Sequence, residues 1–390
     1  MKYDNQLRYA VNIIESFNGN GPLHNWLKDF FRENKQMGSR DRKQTSEMVY
    51  CFYRLGHAAK ALSTGERILT GLFLCNHSSN EILQYFKPSW NEMIAAEVNK
   101  KIAVISSDLG VPEKIFPFSN ELSPGIDHAA FSLSFLWQPD LFIRIRPGFE
   151  KSVKEKLERH SIAYHEIDAS CLACSNATKL DEVLDINREA VIQDMNSQRT
   201  GAFFGNMNEP SGQKINAWDC CAASGGKSMM LFDQHPLVDL TVSDIRESIL
   251  ANLKKRFSEA GIQKYKMFVV DLSIPDFAIP IPKSSFDLII ADVPCTGSGT
   301  WSRNPDALYF FDESVIDRYQ AKQKMILSRV IPFLKKNGRL VYITCSVFRK
   351  ENEEMIEYIL QNSPLHKEES SVLAGYSKRA DSMFVASFIA

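Results

Sequence analysis

The sequence predicts an α/β protein in three parts: a helical N-terminal domain, a small α/β module, and a C-terminal domain built on a doubly wound sheet. Two observations carry this prediction. Apolar residues recur at helical spacing, without strand-like alternation, as far as about residue 130. From about residue 191, short apolar strands alternate with helical segments, which is typical of a parallel sheet covered on both faces. We therefore predict domains at 1–130, 131–190 and 191–390.

The helical domain begins with an amphipathic segment that ends at the glycines and proline of 19–22. Its apolar face is formed by Leu7, Ala10, Val11 and Ile14. A second apolar face follows at 26–31, and Ser39 is placed to cap a long helix over 41–59. Further helical segments are predicted at 68–75, 82–86 and 90–98.

The small module is predicted from a strand at 141–146, in which arginines alternate with apolar residues. Pro147 and Gly148 end this strand, and an amphipathic helix rich in Lys and Glu follows at 150–160. A second strand is predicted at 162–167. This pattern indicates a compact α/β module that continues to about residue 190.

The C-terminal domain is predicted from five strands, each followed by a helical segment or a loop. The strands are placed at 215–219, 240–244, 267–271, 286–292 and 339–344. The helices are placed at 226–234, 246–260, 312–334 and 350–361. The apolar run 383–389 is a further strand candidate, whose position in the sheet cannot be read from the sequence.

Composition excludes several classes of protein. With 44% hydrophobic and 24% charged residues the chain is ordinary globular protein, and its net charge of −1 means that any basic surface must be local. The first residues are polar, unlike a signal peptide, and no apolar run reaches the ~18 residues that a membrane span needs. Eight cysteines are too few for a disulfide scaffold. We therefore expect a cytoplasmic protein with reduced thiols and no membrane segment.

A loop of small residues follows the first strand, at the sheet edge where open α/β proteins bind ligands. It runs Asp-Cys-Cys-Ala-Ala-Ser-Gly-Gly-Lys-Ser over 219–228. The loop is neither a G-x-G-x-x-G fingerprint nor a Walker A loop, because the position of the first Walker glycine is Cys221. A nucleoside without a polyphosphate is therefore the more consistent ligand.

Carboxylates end the next two strands. Asp244 lies 19 residues after Gly225, the usual place for a carboxylate that binds ribose hydroxyls. Asp271 ends the third strand and is expected to meet the adenine side of the same ligand. One such aspartate alone would be better explained as a helix cap, but three successive strand ends beside a glycine loop favour a nucleoside site. S-adenosyl-L-methionine fits best, because an acidic pocket suits its ribose and its sulfonium.

Two cysteines, Cys295 and Cys345, follow the fourth and fifth strands. With strand order 3-2-1-4-5 these strands are neighbours about 4.8 Å apart, so both thiols face one crevice. Such a pair suits methylation at carbon 5 of a pyrimidine, in which a low-pKa thiolate adds to carbon 6 and a second group assists release. Asp292 and Lys227 are placed to contact the base or the cofactor. The alternative is that both cysteines are small buried residues, and geometry alone does not say which one attacks.

Several motifs together resemble the Sun/RsmB family of RNA cytosine-5 methyltransferases. Cys-Ala-Ala-Ser-Gly-Gly-Lys at 221–227 is similar to the family's C-A-A-P-G-G-K loop, and 292–306 to its D-A-P-C-S-G-x-G-x-x-R-R-x-P-D. Thr-Cys-Ser at 344–346 with Glu-Asn-Glu at 351–353 is similar to T-C-S…E-N-E. Residues 191–198 resemble V-x-Q-D-x-x-S-Q, and 381–384 resemble D-G-F-F.

The resemblance implies a Rossmann-like catalytic domain in which Cys345 is the nucleophile and Cys295 assists product release. It implies cofactor contacts from Cys221, Ala222, Ala223, Ser224, Gly225, Gly226, Lys227, Asp244, Asp271 and Asp292. It also implies that 1–130 is a NusB-like RNA-binding domain and that 131–190 contacts RNA. Ser224 stands where the family has proline and Ser382 where it has glycine; the first change loosens the loop.

The expected activity is therefore methylation of RNA, with small-subunit rRNA favoured because of the helical domain. A tRNA cytosine-5 methyltransferase and a non-catalytic rRNA-binding assembly factor are the alternatives. An amino-group methyltransferase would need Asn/Asp-Pro-Pro-aromatic where this chain has Asp292-Val-Pro-Cys. Cys171-x-x-Cys174 resembles half a zinc site or a redox pair, but no second ligand pair follows, so no metal is expected.

Overall fold

A computed structural model describes residues 3–110, 114–205, 214–275 and 278–390. Its internal contacts divide the chain into two compact units. The first, which we call the helical unit, holds the residues up to 120 together with 127–138 and 300–313. The second, which we call the α/β unit, holds 121–126, 139–299 and 314–390. The grouping differs from the three predicted ranges in two ways: the residues of the small module from 139 onward share a unit with the C-terminal domain, and 300–313 joins the helices.

The helical unit is built from short helices, as the apolar spacing predicts. Its helices are α1 Tyr3–Ser16, α2 Leu23–Glu33, α3 Ser39–Arg54, α4 Thr64–Cys75, α5 Glu81–Phe86, α6 Pro88–Glu92, α7 Val98–Leu109, α8 His128–Ser134 and α13 Pro305–Tyr309. Ser39 is the first residue of α3 and not its cap, because the N-cap position is Gly38. Helices α3 and α4 approach closely at Gly71, where a Cβ atom would overlap the carbonyl oxygen of Cys51.

Residues 300–313 carry aromatic side chains into the helical unit. Arg54 is buried and donates hydrogen bonds to the carbonyl oxygens of Phe135 (2.8 Å) and Ser302 (3.1 Å). The Arg67 guanidinium lies 4.9 Å from the centre of the Tyr309 ring on α13. This segment follows the Cys295 loop in sequence, so its helical partners could not be read from its own spacing.

The small module forms a four-stranded antiparallel sheet with one covering helix, α9 Glu150–Arg159. Its strands are β1 Leu141–Ile145, β2 Tyr164–Glu166, β3 Cys171–Cys174 and β4 Ala190–Ile192. They lie in the sheet in the order β2-β3-β1-β4. Arg144 and Arg146, which follow the alternating pattern of β1, are buried and paired with Asp233 at 2.6 and 2.8 Å. The alternation therefore marks a buried ionic contact and not a solvated face.

The main sheet has the predicted doubly wound core. Its strands are β5 Asn216–Asp219, β6 Asp239–Asp244, β7 Tyr265–Val269, β8 Phe286–Asp292, β9 Leu334–Thr344, β10 His366–Leu373 and β11 Met383–Ile389. The order is β10-β11-β9-β8-β5-β6-β7, parallel from β9 through β7, so the predicted order 3-2-1-4-5 is confirmed. The 383–389 run lies antiparallel between β9 and β10. Strand β10 was not predicted, because as a polar edge strand it lacks apolar alternation.

Helices cover both faces of this sheet. They are α11 Gly226–Gln234, α12 Glu247–Glu259, α14 Ser314–Val330 and α15 Glu353–Asn362. Helix α10, Met195–Arg199, instead packs Met195 beside Phe142 and Cys171 of the small module. Leu288 and Ile290 of β8 pack into one apolar cluster, and Ile289 and Ala291 pack into the cluster on the opposite face. Sheet burial on both faces thus holds the strand ends at 219, 244 and 292 in fixed positions.

Cys171 and Cys174 lie on opposite faces of β3. Cys171 packs beside Phe142 and Met195, whereas Cys174 packs beside Ile143 and Leu157. Their side chains therefore do not face each other as a redox or metal-binding pair would. Within the described parts of the chain, no three His, Cys, Asp or Glu side chains are grouped for a metal, and no helix has the length and apolarity to cross a membrane.

Candidate active site

A cavity of about 420 Å³ opens at the carboxyl edge of the main sheet, at the ends of strands β5 to β9. Seven of the predicted site residues line it: Cys221, Ala223, Asp244, Asp271, Asp292, Cys295 and Cys345. The predicted residues Ala222, Ser224, Gly225, Gly226 and Lys227 are not part of its wall. The sheet therefore brings the predicted carboxylates and both thiols to one space.

The loop after β5 is shaped by Gly225, the N-cap residue of α11. Gly225 has a φ of +82°, and a Cβ atom there would lie 2.6 Å from the ring of Phe257. Ala222 is buried in the core beneath the loop, and Ala223 N–H donates to Asp244 Oδ2 at 3.0 Å. These residues support the cavity wall through their backbone.

Ser224 is held by an arginine. Arg256 of α12 donates from one guanidinium nitrogen to the Ser224 carbonyl oxygen at 2.8 Å and to its hydroxyl at 2.7 Å. The family's proline would restrict the backbone at this position, and in this chain the arginine contacts restrain it instead. The loosening expected from the substitution is thus opposed by a residue thirty-two positions away in sequence.

Asp244 and Asp271 each accept a hydrogen bond from a residue two positions later, and each lines the cavity. Asp244 Oδ1 accepts hydrogen bonds from Arg246 N (3.0 Å) and Nε (3.1 Å). Asp271 Oδ1 accepts from Ser273 N at 2.8 Å. Neither carboxylate caps a helix, because the N-cap residue of α12 is Arg246 and no helix begins between Asp271 and β8 in the described part of the chain. Both carboxylates line the cavity.

Lys227 and Asp292 form a shielded ion pair in which Asp292 lines the cavity and Lys227 lies behind it. Lys227 Nζ lies 2.6 Å from Asp292 Oδ2, and the two side chains are 10% and 25% exposed. Burial opposes the charge of Lys227, but Asp292 and Cys345 nearby hold its pKa above the usual value. Lys227 therefore remains a cation beside the candidate nucleophile.

Asp219, at the end of β5, is a buried carboxyl group close to this pair. Ser228 Oγ donates to its Oδ2 at 2.6 Å, while Oδ1 is buried without a hydrogen-bond partner among the described residues. Burial raises the pKa of Asp219 to about 7. The sequence places Asp219 at the start of the loop, but no sequence pattern indicated that its carboxyl group would be buried.

Cys295 and Cys345 follow the adjacent strands β8 and β9, as predicted, and both line the cavity. Burial raises the pKa of both thiols; Asp292 adds to the effect on Cys345, and Lys227 opposes it. The structure therefore contradicts the expectation of a low-pKa cysteine. Desolvation outweighs the nearby cation, so the reaction must remove the thiol proton as the substrate arrives.

Several lining residues were missed by sequence reasoning. Arg246 and Lys322 bring cations to the cavity, and Val270, Leu272 and Ile326 make part of its wall apolar. Arg246 carried a usable signal, because it lies two residues after Asp244. Lys322 lies on α14, distant in sequence from every motif, and had none.

Residues 206–383 match a family model described as 16S rRNA methyltransferase RsmB/F. Ribosomal RNA small subunit methyltransferase B of Salmonella arizonae is 33% identical over 173 residues, 44% of this chain and 38% of that protein. The same enzyme of Salmonella heidelberg is 31% identical over 176 residues, again 44% and 38%. The match thus spans less than half the length of these relatives.

Solved structures with a similar fold extend further along the chain. The crystal structure of PH0851 covers 98% of each chain with a TM-score of 0.70 at 17% identity. NSun6 from Pyrococcus horikoshii with SFG covers 67% of this chain and 94% of its own, with a TM-score of 0.56 at 14% identity. A methyltransferase homolog from Pyrococcus horikoshii covers 68% and 91%, with 0.55 at 20%. At these identities the likeness concerns the fold.

Proposed function

We propose that this chain, whose residues 206–383 match the RsmB/F methyltransferase family model, methylates carbon 5 of cytosine in RNA, using S-adenosyl-L-methionine. The observation that carries the proposal is the meeting of Cys295 and Cys345 with the aspartates of β6 and β8 on one cavity. Small-subunit rRNA is the favoured substrate, since the family description and the curated relatives name it. The cytoplasm is the corresponding location.

The residues around the cavity suit the proposed cofactor. Asp244 would accept hydrogen bonds from ribose hydroxyls, and Asp271 and the apolar residue Val270 would meet the adenine. Asp292 offers a negative charge to a sulfonium, beside the backbone of the 221–227 loop. When bound, S-adenosyl-L-methionine supplies an electrophilic methyl group to a carbon that the protein has made nucleophilic.

Cys345 is the proposed nucleophile and must lose its proton to act. Lys227 favours the thiolate, so entry of the base next to this cation and removal of the proton go together. The sulfur then bonds to carbon 6 of cytosine, and the electrons of the 5,6 double bond become available at carbon 5. The target nucleotide must be unpaired or flipped to reach the thiol.

Release follows once carbon 5 carries the methyl group. Carbon 5 loses its proton, which passes to solvent as the one proton released in each turnover. The 5,6 double bond re-forms, and the bond between carbon 6 and Cys345 breaks to return the thiolate. We assign assistance in this elimination to Cys295, the second thiol on the same cavity.

The helical unit and the small module are proposed to share RNA binding, because the near-neutral chain has no overall basic excess.

The proposal is tested by incubating the purified protein with labelled S-adenosyl-L-methionine and either small-subunit rRNA or tRNA, followed by bisulfite sequencing. We expect 5-methylcytosine in rRNA, lost in Cys345→Ala. Methylation of tRNA alone would correct the substrate. Cofactor and RNA binding without methylation would support a non-catalytic assembly factor.

A further inference from the structure

Glu351 is a buried carboxylate that contacts both cysteine loops. The residue is 0% exposed and lies just before α15. Its Oε2 accepts hydrogen bonds from Thr296 Oγ1 and Ser346 Oγ, each at 2.5 Å. Thr296 follows Cys295, and Ser346 follows Cys345. One carboxylate oxygen thus bonds the residue after each cysteine.

The second oxygen strengthens the hold on the Cys295 side. Glu351 Oε1 accepts from Thr296 N at 2.9 Å and from Gln323 Nε2 at 3.0 Å. Gln323, on α14, also donates to the Pro294 carbonyl oxygen at 3.1 Å. Four donors directed at one buried carboxylate form a fully bonded network, which is rigid only while every member is present.

The two loops depend on Glu351 unequally. Cys345 has anchors of its own, since it directly follows Thr344, the last residue of β9, which pairs with Phe384 of β11. Asn352 Nδ2 also donates to the Ser346 carbonyl oxygen at 2.9 Å. Cys295, in contrast, lies three residues after the end of β8, and Glu351 accepts hydrogen bonds from both the amide and the hydroxyl of the next residue, Thr296. Loss of the network therefore displaces Cys295 more than Cys345.

We propose that Glu351 is a positioning residue that sets the Cys295 thiol against the Cys345-bound base and so controls release of the product. The inference rests on the proposed function, because it assigns Glu351 to the elimination step of that reaction. Attack needs Cys345 alone, whereas elimination needs both thiols at one base. A displaced Cys295 loop thus slows the last step selectively.

Thr296→Val tests this with little change of shape, since it removes only the hydroxyl that binds Glu351. Glu351→Gln is the second variant, because an amide NH2 group replaces one of the two oxygens and can no longer accept the two hydrogen bonds made there. Glu354→Gln is the matched control, on the first turn of α15 and paired with Arg349 outside the network. Each protein is mixed with RNA and cofactor, and the covalent adduct and the turnover rate are measured.

We expect the adduct to appear as fast as in the wild type but to accumulate in both test variants, with turnover slower by roughly tenfold to a hundredfold. The control should match the wild type. If adduct and turnover fall together, or if neither changes, Glu351 has no separate role in release.

Hydrogen exchange on the free proteins gives a reading that does not need activity. We expect faster exchange at 293–299 in both test variants and unchanged exchange in β9. Unchanged exchange at 293–299 would overturn the positioning role. A wild-type protein that forms neither adduct nor 5-methylcytosine would refute the proposed function, while exchange would still decide the structural claim.

Discussion

Replacing Lys227 with methionine removes the cation from the ion pair behind the cavity and keeps the length of the side chain. Asp292, only 25% exposed, is then left without its partner at 2.6 Å. Breaking a buried pair from one side costs about 3–5 kcal/mol, and the partial exposure of Asp292 places the loss of unfolding free energy near the lower end. Urea unfolding measures this loss.

The same change acts on Cys345. Lys227 opposes the increase in the pKa of this thiol, so its removal leaves burial and Asp292 unopposed. The thiolate then forms only at higher pH, and the pH profile of covalent adduct formation should move upward. Lys255→Met is the control, since that lysine is 76% exposed on α12. Profiles that coincide for Lys227→Met and the wild type would refute the electrostatic role of Lys227.

Three further results are expected. Asp244→Ala should weaken cofactor binding in calorimetry by about 1.5–3 kcal/mol, because charge-assisted hydrogen bonds are lost; an unchanged Kd would remove Asp244 from the site. Asp219 has a pKa raised to about 7, so its contribution to stability is present below its unfolded pKa and lost as pH rises through 7. Asp219→Asn should therefore flatten the dependence of the unfolding free energy on pH between about pH 4 and 7. An unchanged slope would contradict this. A truncated protein starting at residue 186 should unfold readily in thermal melts, because it lacks the helices around 300–313 and leaves Asp233 without Arg144 and Arg146; a melt like that of the full chain would count against this.

The sequence predicted those features that depend on local pattern. Strand–helix alternation indicated the order of β5 to β9, and the strand ends correctly brought Asp244 and Asp292 to one edge. Strand β10 was not predicted, because an exposed polar edge strand has no apolar face to mark it in the sequence. The local sequence pattern is thus sufficient to predict an element that packs one face against a single apolar core.

Features that depend on distant partners were not predictable. Arg256 meets Ser224 only after the chain has folded, so the effect of a serine in place of proline could not be judged from the motif. The pKa of Cys345 was misjudged for a similar reason, because burial depends on packing that no motif encodes. The placement of 300–313 among the helices likewise needs contacts across more than 200 residues.

The two cysteines are proposed to act in order, and the covalent RNA adduct tests that order most directly. Cys345→Ala and Cys295→Ala are each mixed with RNA and cofactor and then separated on a denaturing gel. We expect no adduct and no methylation with Cys345→Ala, because attack is lost. With Cys295→Ala we expect a stable protein–RNA adduct whose base already carries the methyl group. An adduct with Cys345→Ala and none with Cys295→Ala would reverse the roles, and full activity in both variants would contradict the two-cysteine mechanism.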